Sequence, residues 1–314
     1  MLARTGEELL KICEEESISL SEYAIRIEMR DRELSREEVY KKMAKNLKVM
    51  KDGATEGREK QVNSLSGLIG GDGYRVQKYL EKGNTLTGDI TVKAMAMALS
   101  SSEVNASMGR IVACPTAGSC GILPAVILSA GEKLGKSDEE LIDALFASAA
   151  VGMIIGMNAT LSGAEGGCQA ECGSAAAMGA AAVVEMMGGT PKMSLDAAAI
   201  VIKNVLGLVC DPVAGLVEIP CAKRNAAGAI SALCTADMVM AGVSSKITFD
   251  DTVSAMYKVG KSLPSSLRET ALGGVAVTKS GLELRKKVFG EELASGKWKV
   301  ISDKFEENSA DAEF

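Results

Sequence analysis

SDEELIDALFASAAVGMIIG, residues 137–156, reads as a single helix that carries its own start signal. Ser137 stands at the N-cap, and Glu140 three places on completes a capping box. From 145 to 157 the run is mostly apolar and rich in Ala, Gly and Met, as a membrane span would also be. It falls short of the ~20 residues a bilayer requires, and Asn158, Glu165 and Glu171 follow closely, so a tightly packed core helix is expected.

Working outward, LPAVILSAGEKLG before it and SAAAMGAAAVVEMM (174–187) after it repeat the helical pattern, the latter closed by GGTP (188–191). Residues 89–113 have apolar residues at helical spacing, and ISALCTADMVMAG returns to helix later. Residues 6–50 read as charged amphipathic helices: Leu9, Leu10 and Cys13 form one inward stripe, Ile25 and Met29 continue the spacing, and Val39, Met43 and Leu47 form another. Alternating period-two stretches are few, β-branched runs are short, and no repeat or Pro-rich linker divides the chain. The expectation is an all-α fold: one mostly helical catalytic domain over 1–290 with Gly-rich site loops, then a polar, acidic and mobile tail over 291–314.

The chain has 314 residues, 47% of them hydrophobic but only 4% aromatic, with 33 Gly and 16 Met, so its core is built from small and flexible side chains. A formal charge of -6 gives no footprint for nucleic acid or an anionic membrane and favours a small-molecule substrate. Several Glu interrupt the first residues, where a secretory signal needs an apolar stretch, so a cytoplasmic location is expected. There disulfides are rare, and eight cysteines raise the question of metal. Histidine is absent altogether, which removes the commonest general base.

Five Gly- or Pro-broken stretches are candidate site loops: NSLSGLIGGDG (63–73), CPTAGSCGILP (114–124), NATLSGAEGGCQAECG (158–173), GLVCDPVAGLVEIPCAKRNAAG (207–228) and RETALGGVAV (268–277). Cys13 and Cys234 sit in apolar helical patterns and are assigned no function. Cys120 and Cys172 rank as reserve ligands, and Cys114 is open between packing and ligation. Cys168, Cys210 and Cys221 each lie at a turn flanked by Gly or Pro, backbone that lets a bulky group approach. Neither a zinc CxxC pair nor a ferredoxin run is present, so spacing alone leaves metal binding open.

Taken together, NxxxSGAEGGCQAE, GLVCDPVAGLVEIPCxxRNA, SGLIGGDG and PTAGS resemble the alpha chain of the bacterial iron–sulfur L-serine dehydratases, over a span running to about residue 290. The resemblance implies a [4Fe–4S] cluster held by Cys168, Cys210 and Cys221, with the fourth iron left open as a Lewis acid for the serine hydroxyl. It also implies a beta subunit whose histidines supply the acid–base function missing here. In fused relatives a C-terminal cysteine enters the site, whereas this chain ends in SADAEF without one.

Within this chain Glu165 is the candidate catalytic carboxylate, with Glu171 the other Glu near Cys168. Ser64, Ser66, Thr116 and Ser119 are candidates for the substrate carboxylate, as are Asn158 and Ser162, and Arg224 pairs either with that carboxylate or with Glu218. Rival readings keep the chemistry but act on L-threonine or L-cysteine, or make the chain a non-catalytic helical assembly subunit. A pyridoxal-phosphate lyase is disfavoured because no Lys adjoins the PTAGS or GGDG turns.

Overall fold

Short polar side chains start the helices at their N-caps. Thr5, Ser19, Ser35, Ser137, Thr190 and Thr248 each accept a hydrogen bond from a first-turn backbone N–H, satisfying a donor that the helix itself leaves free. In the computed structural model, which describes residues 2–294, the chain order is α1 (Gly6–Glu16), α2 (Leu20–Arg32), α3 (Arg36–Glu59), α4 (Asp72–Leu80), α5 (Asp89–Ala106), α6 (Ile122–Leu134), α7 (Asp138–Asn158), α8 (Gly163–Gly166), α9 (Ser174–Met186), α10 (Pro191–Asn204), α11 (Cys221–Met240), α12 (Phe249–Ser262) and α13 (Lys279–Ala294). Among the described residues there is no strand, only two isolated bridges, and the fold is all-α as expected. The tail expected from 291 lies, beyond Ala294, outside the described residues.

At the centre is α9, buried at every position from Ser174 to Val184 and packed by α6, α7, α10 and α11. Its run of Ala and Gly explains the low aromatic content: small side chains let several helix backbones approach one axis at once. The capping box of Ser137 and Glu140 forms as expected, but α7 has 21 residues, long enough and apolar enough to cross a bilayer. Length therefore does not separate the two readings. Packing does, because α7 lies against α2 and α9 with most of its surface covered.

Other boundaries shift for local reasons. The helix expected to Ala113 stops at Ala106, where Met108 takes a positive φ and Gly109 N–H returns to the Val104 carbonyl at 2.8 Å. Pro124, read as a breaker, sits in the first turn of α6, where its missing N–H has no helical acceptor to lose. The stretch 158–173 is not one loop: it contains α8 and a π-helical turn, Gln169–Gly173, that runs directly into α9. Cys234 is exposed on α11, whereas Cys13 is buried in α1 as its stripe suggests.

A cysteine-lined candidate active site

Three backbone segments bring the flanked cysteines toward one place. Cys168 begins the π turn, Cys210 lies in the extended stretch before the Val213–Gly215 turn, and Cys221 opens α11. All three are buried, at 3%, 5% and 9% exposure, and each of Cys210 and Cys221 feels the charge of Cys168.

Buried polar side chains hold these segments together. Gln169, fully buried, donates to the Gly166 and Met256 carbonyls at 2.9 Å and accepts from Gly207 N–H at 2.9 Å. This ties the Cys168 turn to α12 and to the start of the Cys210 segment. Asn225, one turn after Cys221, donates to the Cys221 carbonyl at 2.9 Å and to Gly118 at 2.7 Å, and accepts from Gly121 N–H at 2.9 Å. The 114–124 turn is thereby anchored to α11. Arg224 donates to the Val209 carbonyl at 2.8 Å and pairs with Asp211 at 2.9 Å, gripping the chain on both sides of Cys210. Cys210 itself bridges to the 268–277 turn through N–H to Leu267 and carbonyl to Glu269.

Glycines make room for this convergence. Gly167 has φ 76°, and a Cβ there would sit 2.8 Å from the Leu208 carbonyl oxygen. A Cβ on Gly163 would fall 2.5 Å from Glu171 Oε2 and 3.1 Å from Cys210 Sγ. Glu171 is thus the carboxylate inside the site: it is buried, Cys210 Sγ points at its Oε2 from 3.9 Å, and Gly118 lies against its other oxygen. Burial raises its pKa, while the Thr116 hydroxyl acts in the opposite direction. Glu165, two residues before Gly167, is exposed.

The remaining candidates divide. The Thr116 and Ser119 hydroxyls are 3.1 Å apart in the turn that faces Glu171. Ser66 donates to the buried Glu218 carboxylate at 2.8 Å, and Ser64 lies 3.2 Å from Ser66, so the 63–73 loop is fastened to the segment between Cys210 and Cys221. Ser162 caps α8 through its backbone carbonyl. Asn158 is turned elsewhere, its amide donating to the Arg4 carbonyl at 2.6 Å and to Ile154 at 2.9 Å. Arg224 takes Asp211 as its partner rather than Glu218. Cys114 and Cys120 point at backbone carbonyls in the core, and Cys172 lies 3.3 Å from Cys168, sulfur to sulfur.

The donor set suits an iron–sulfur group. Soft thiols on three turns, with Gly or Pro beside them, are the ligands such clusters take. Burial pushes the Cys221 thiol up to about 12 and raises that of Cys210 as well, and either would have to give up its proton to act as a metal ligand. Cys168 differs: its hydrogen bond with Cys172 lowers its pKa, burial opposes this, and Arg224 adds to the lowering. Among the described residues no three Cys, Asp or Glu side chains stand close enough to hold a single ion. A cluster makes no such demand, because each ligand binds a different iron.

Fold and site define an all-helical chain in which glycine- and proline-flanked segments carry three buried thiols beside a buried carboxylate. Residues 15–276 match the family model described as serine dehydratase alpha chain, and the chain belongs to that family. It is 48% identical over 292 residues to a probable L-serine dehydratase alpha chain of Bacillus subtilis, covering 93% of this chain and 97% of the relative. It is 46% identical to the L-serine dehydratase alpha chain of Peptoniphilus asaccharolyticus, over 91% and 98% of the two. An Escherichia coli L-serine dehydratase is 36% identical over 86% of this chain, which spans 60% of that longer protein.

Proposed function

We propose that this chain is the cluster-bearing subunit of an L-serine dehydratase, eliminating water from L-serine to leave pyruvate and ammonia. The observation that carries the reading is the set of three buried thiols, Cys168, Cys210 and Cys221, tied together by Gln169, Arg224 and Asn225 in a chain of this family. These three cysteines would hold a [4Fe–4S] group, whose contribution when bound is Lewis acidity toward a departing hydroxyl.

The chain's own residues do the rest. Glu171 replaces Glu165 as its candidate acid–base group, since it alone of the two faces Cys210, and its buried carboxyl can hold a proton near the reacting carbon. Thr116, held by Ser119, orients that carboxyl, and the two would offer hydroxyls to the substrate. Ser64 and Ser66, fixed by Glu218, would hold the 63–73 loop against the segment between Cys210 and Cys221 and offer hydroxyls to the substrate, with Ser162 a further candidate at the start of α8. Arg224 keeps Cys210 in place and leaves the substrate carboxylate to these turns. Asn158 would act only by fastening the N-terminal segment.

Acid–base chemistry at the α-carbon also calls for a group this chain lacks. With no histidine present, a beta subunit would supply it, consistent with the alpha-chain names of the relatives. Eight unpaired cysteines suit a reducing cytoplasm. The test is anaerobic iron and sulfide analysis of the wild type and of Cys168→Ala, Cys210→Ala and Cys221→Ala, followed by turnover of serine, threonine and cysteine with the partner added. Loss of iron in all three variants, with serine preferred, is expected. Iron content indifferent to the three changes would overturn the reading.

A further inference from the structure

Cys168 and Cys172 lie on one turn, four residues apart, with their sulfurs 3.3 Å from each other and exposures of 3% and 4%. A disulfide requires sulfurs at about 2.05 Å and Cα atoms within about 4.4–6.8 Å. Residues four apart on a regular helix are separated by about 6.2 Å, inside that window. The π-helical turn that follows Cys168 is wider than an α turn and stacks such residues more directly. The thiols of Cys114 and Cys120 are directed at backbone carbonyls.

We propose that Cys168 and Cys172 are a redox modification site, in which Cys172 resolves oxidation at Cys168 by forming a reversible disulfide. Each thiol gives up one proton and one electron, the S–S bond forms, and dioxygen takes the two electrons and two protons to become hydrogen peroxide. Dioxygen is small and apolar enough to reach buried sulfur, which a bulky disulfide reagent is not. The pair stops Cys168 from climbing to the sulfinic acid, a state that dithiols do not reverse. One consequence rests on the cluster reading above: the disulfide withdraws Cys168 from the ligand set while no cluster is bound, and a dithiol returns it. The disulfide itself rests on the geometry of the turn.

The spacing of lysines makes the test clean. Trypsin releases residues 137–192 as one peptide containing Cys168 and Cys172 and no other cysteine, while Cys210 and Cys221 share the peptide 204–223. Full-length protein, freed of iron anaerobically, is exposed to air-saturated buffer, denatured and alkylated, then reduced and alkylated with a heavier reagent. In the wild type, peptide 137–192 is expected to lose two hydrogens, remain a single chain and take only the second label. Peptide 204–223 is expected to take the first. In Cys172→Ser and Cys172→Ala, Cys168 is expected to pass to acids that a dithiol does not recover.

Three results in the wild type would overturn the proposal: a free Cys168, a Cys168 sulfinate, or a cross-link between the two peptides. Iron uptake separates this inference from the functional reading. Reduced wild type that binds no iron rejects the cluster and leaves the disulfide standing. Oxidised wild type with free thiols rejects the disulfide and leaves the cluster standing.

Discussion

Arg224 and Asp211 form an ion pair at 2.9 Å with side chains 19% and 3% exposed, and the same guanidinium holds the Val209 carbonyl. Cys210 is thereby clamped through its two sequence neighbours as well as by its own contacts with Glu171, Leu267 and Glu269. Removing one partner of a buried pair strands the other charge, at a cost of about 3 kcal/mol. Arg224→Ala is expected to lower the urea midpoint by a corresponding amount and to reduce iron loading. Arg224→Lys, which lacks the planar fork, is expected to recover stability in part and loading less.

Gly167→Ala tests the approach of the Cys168 turn to Leu208. Its φ of 76° and ψ of 179° belong to a region that only glycine enters freely, worth on the order of 1–3 kcal/mol before the contact with the Leu208 carbonyl is counted. Thermal unfolding of the metal-free protein is expected to show the loss, so the effect is separable from cluster binding.

Gly163→Ala is the complementary experiment. The added methyl would meet Glu171 Oε2 and Cys210 Sγ inside the site. Activity with the partner chain is expected to fall by about tenfold or more, equivalent to roughly 1.4 kcal/mol of barrier. An Ala that leaves kcat/KM unchanged would show that Glu171 and Cys210 do not bound the reacting space.

Glu103 predicts a pH dependence away from the cysteines. Its fully buried carboxylate accepts from Asp72 N–H and, at 3.3 Å, from Gly73 N–H at the start of α4. Burial raises its pKa from 4.5 to about 7 against those hydrogen bonds. The native state therefore holds this proton more tightly than the unfolded chain does. Stability from this group is full below the unfolded pKa, declines as pH rises, and is lost once pH passes about 7. A shift of this size is worth about 3 kcal/mol. Denaturant titrations at pH 5 and pH 8 are expected to show the decline in wild type and a flatter profile in Glu103→Gln.

The missing histidine predicts a dependence on the partner. Reconstituted alone, this chain is expected to show iron-dependent absorbance but little turnover, with activity restored by the beta subunit. Full turnover by the isolated chain would place the whole acid–base function within it, with Glu171 the first residue to substitute.

Much of the helical framework is legible because its signals are local. Ser137 and Glu140 mark a start within four residues, and the Ala and Gly of 174–187 mark a core helix without reference to any neighbour. The end of α5 at Ala106 and the helical character of 163–173 are less visible, since a Gly-rich turn and a short helix look alike in composition. Gln169 and Asn225 escape assignment for another reason. Each stands in plain view beside a flanked cysteine, but its partners, Gly207 and Met256 for one and Gly118 and Gly121 for the other, are distant in sequence.

By itself, then, the sequence determined the all-helical class, the absence of histidine and the Gly- and Pro-flanked turns that present Cys168, Cys210 and Cys221. Periodicity, caps and composition act over a few residues and survive in a one-dimensional record. Only the tertiary structure decided that α7 is wrapped by protein, that Glu171 rather than Glu165 faces the thiols, that Arg224 pairs with Asp211, and that Cys172 touches Cys168. Burial, charge pairing and contact between sulfurs depend on which surfaces meet, and helix packing, not local propensity, settles that.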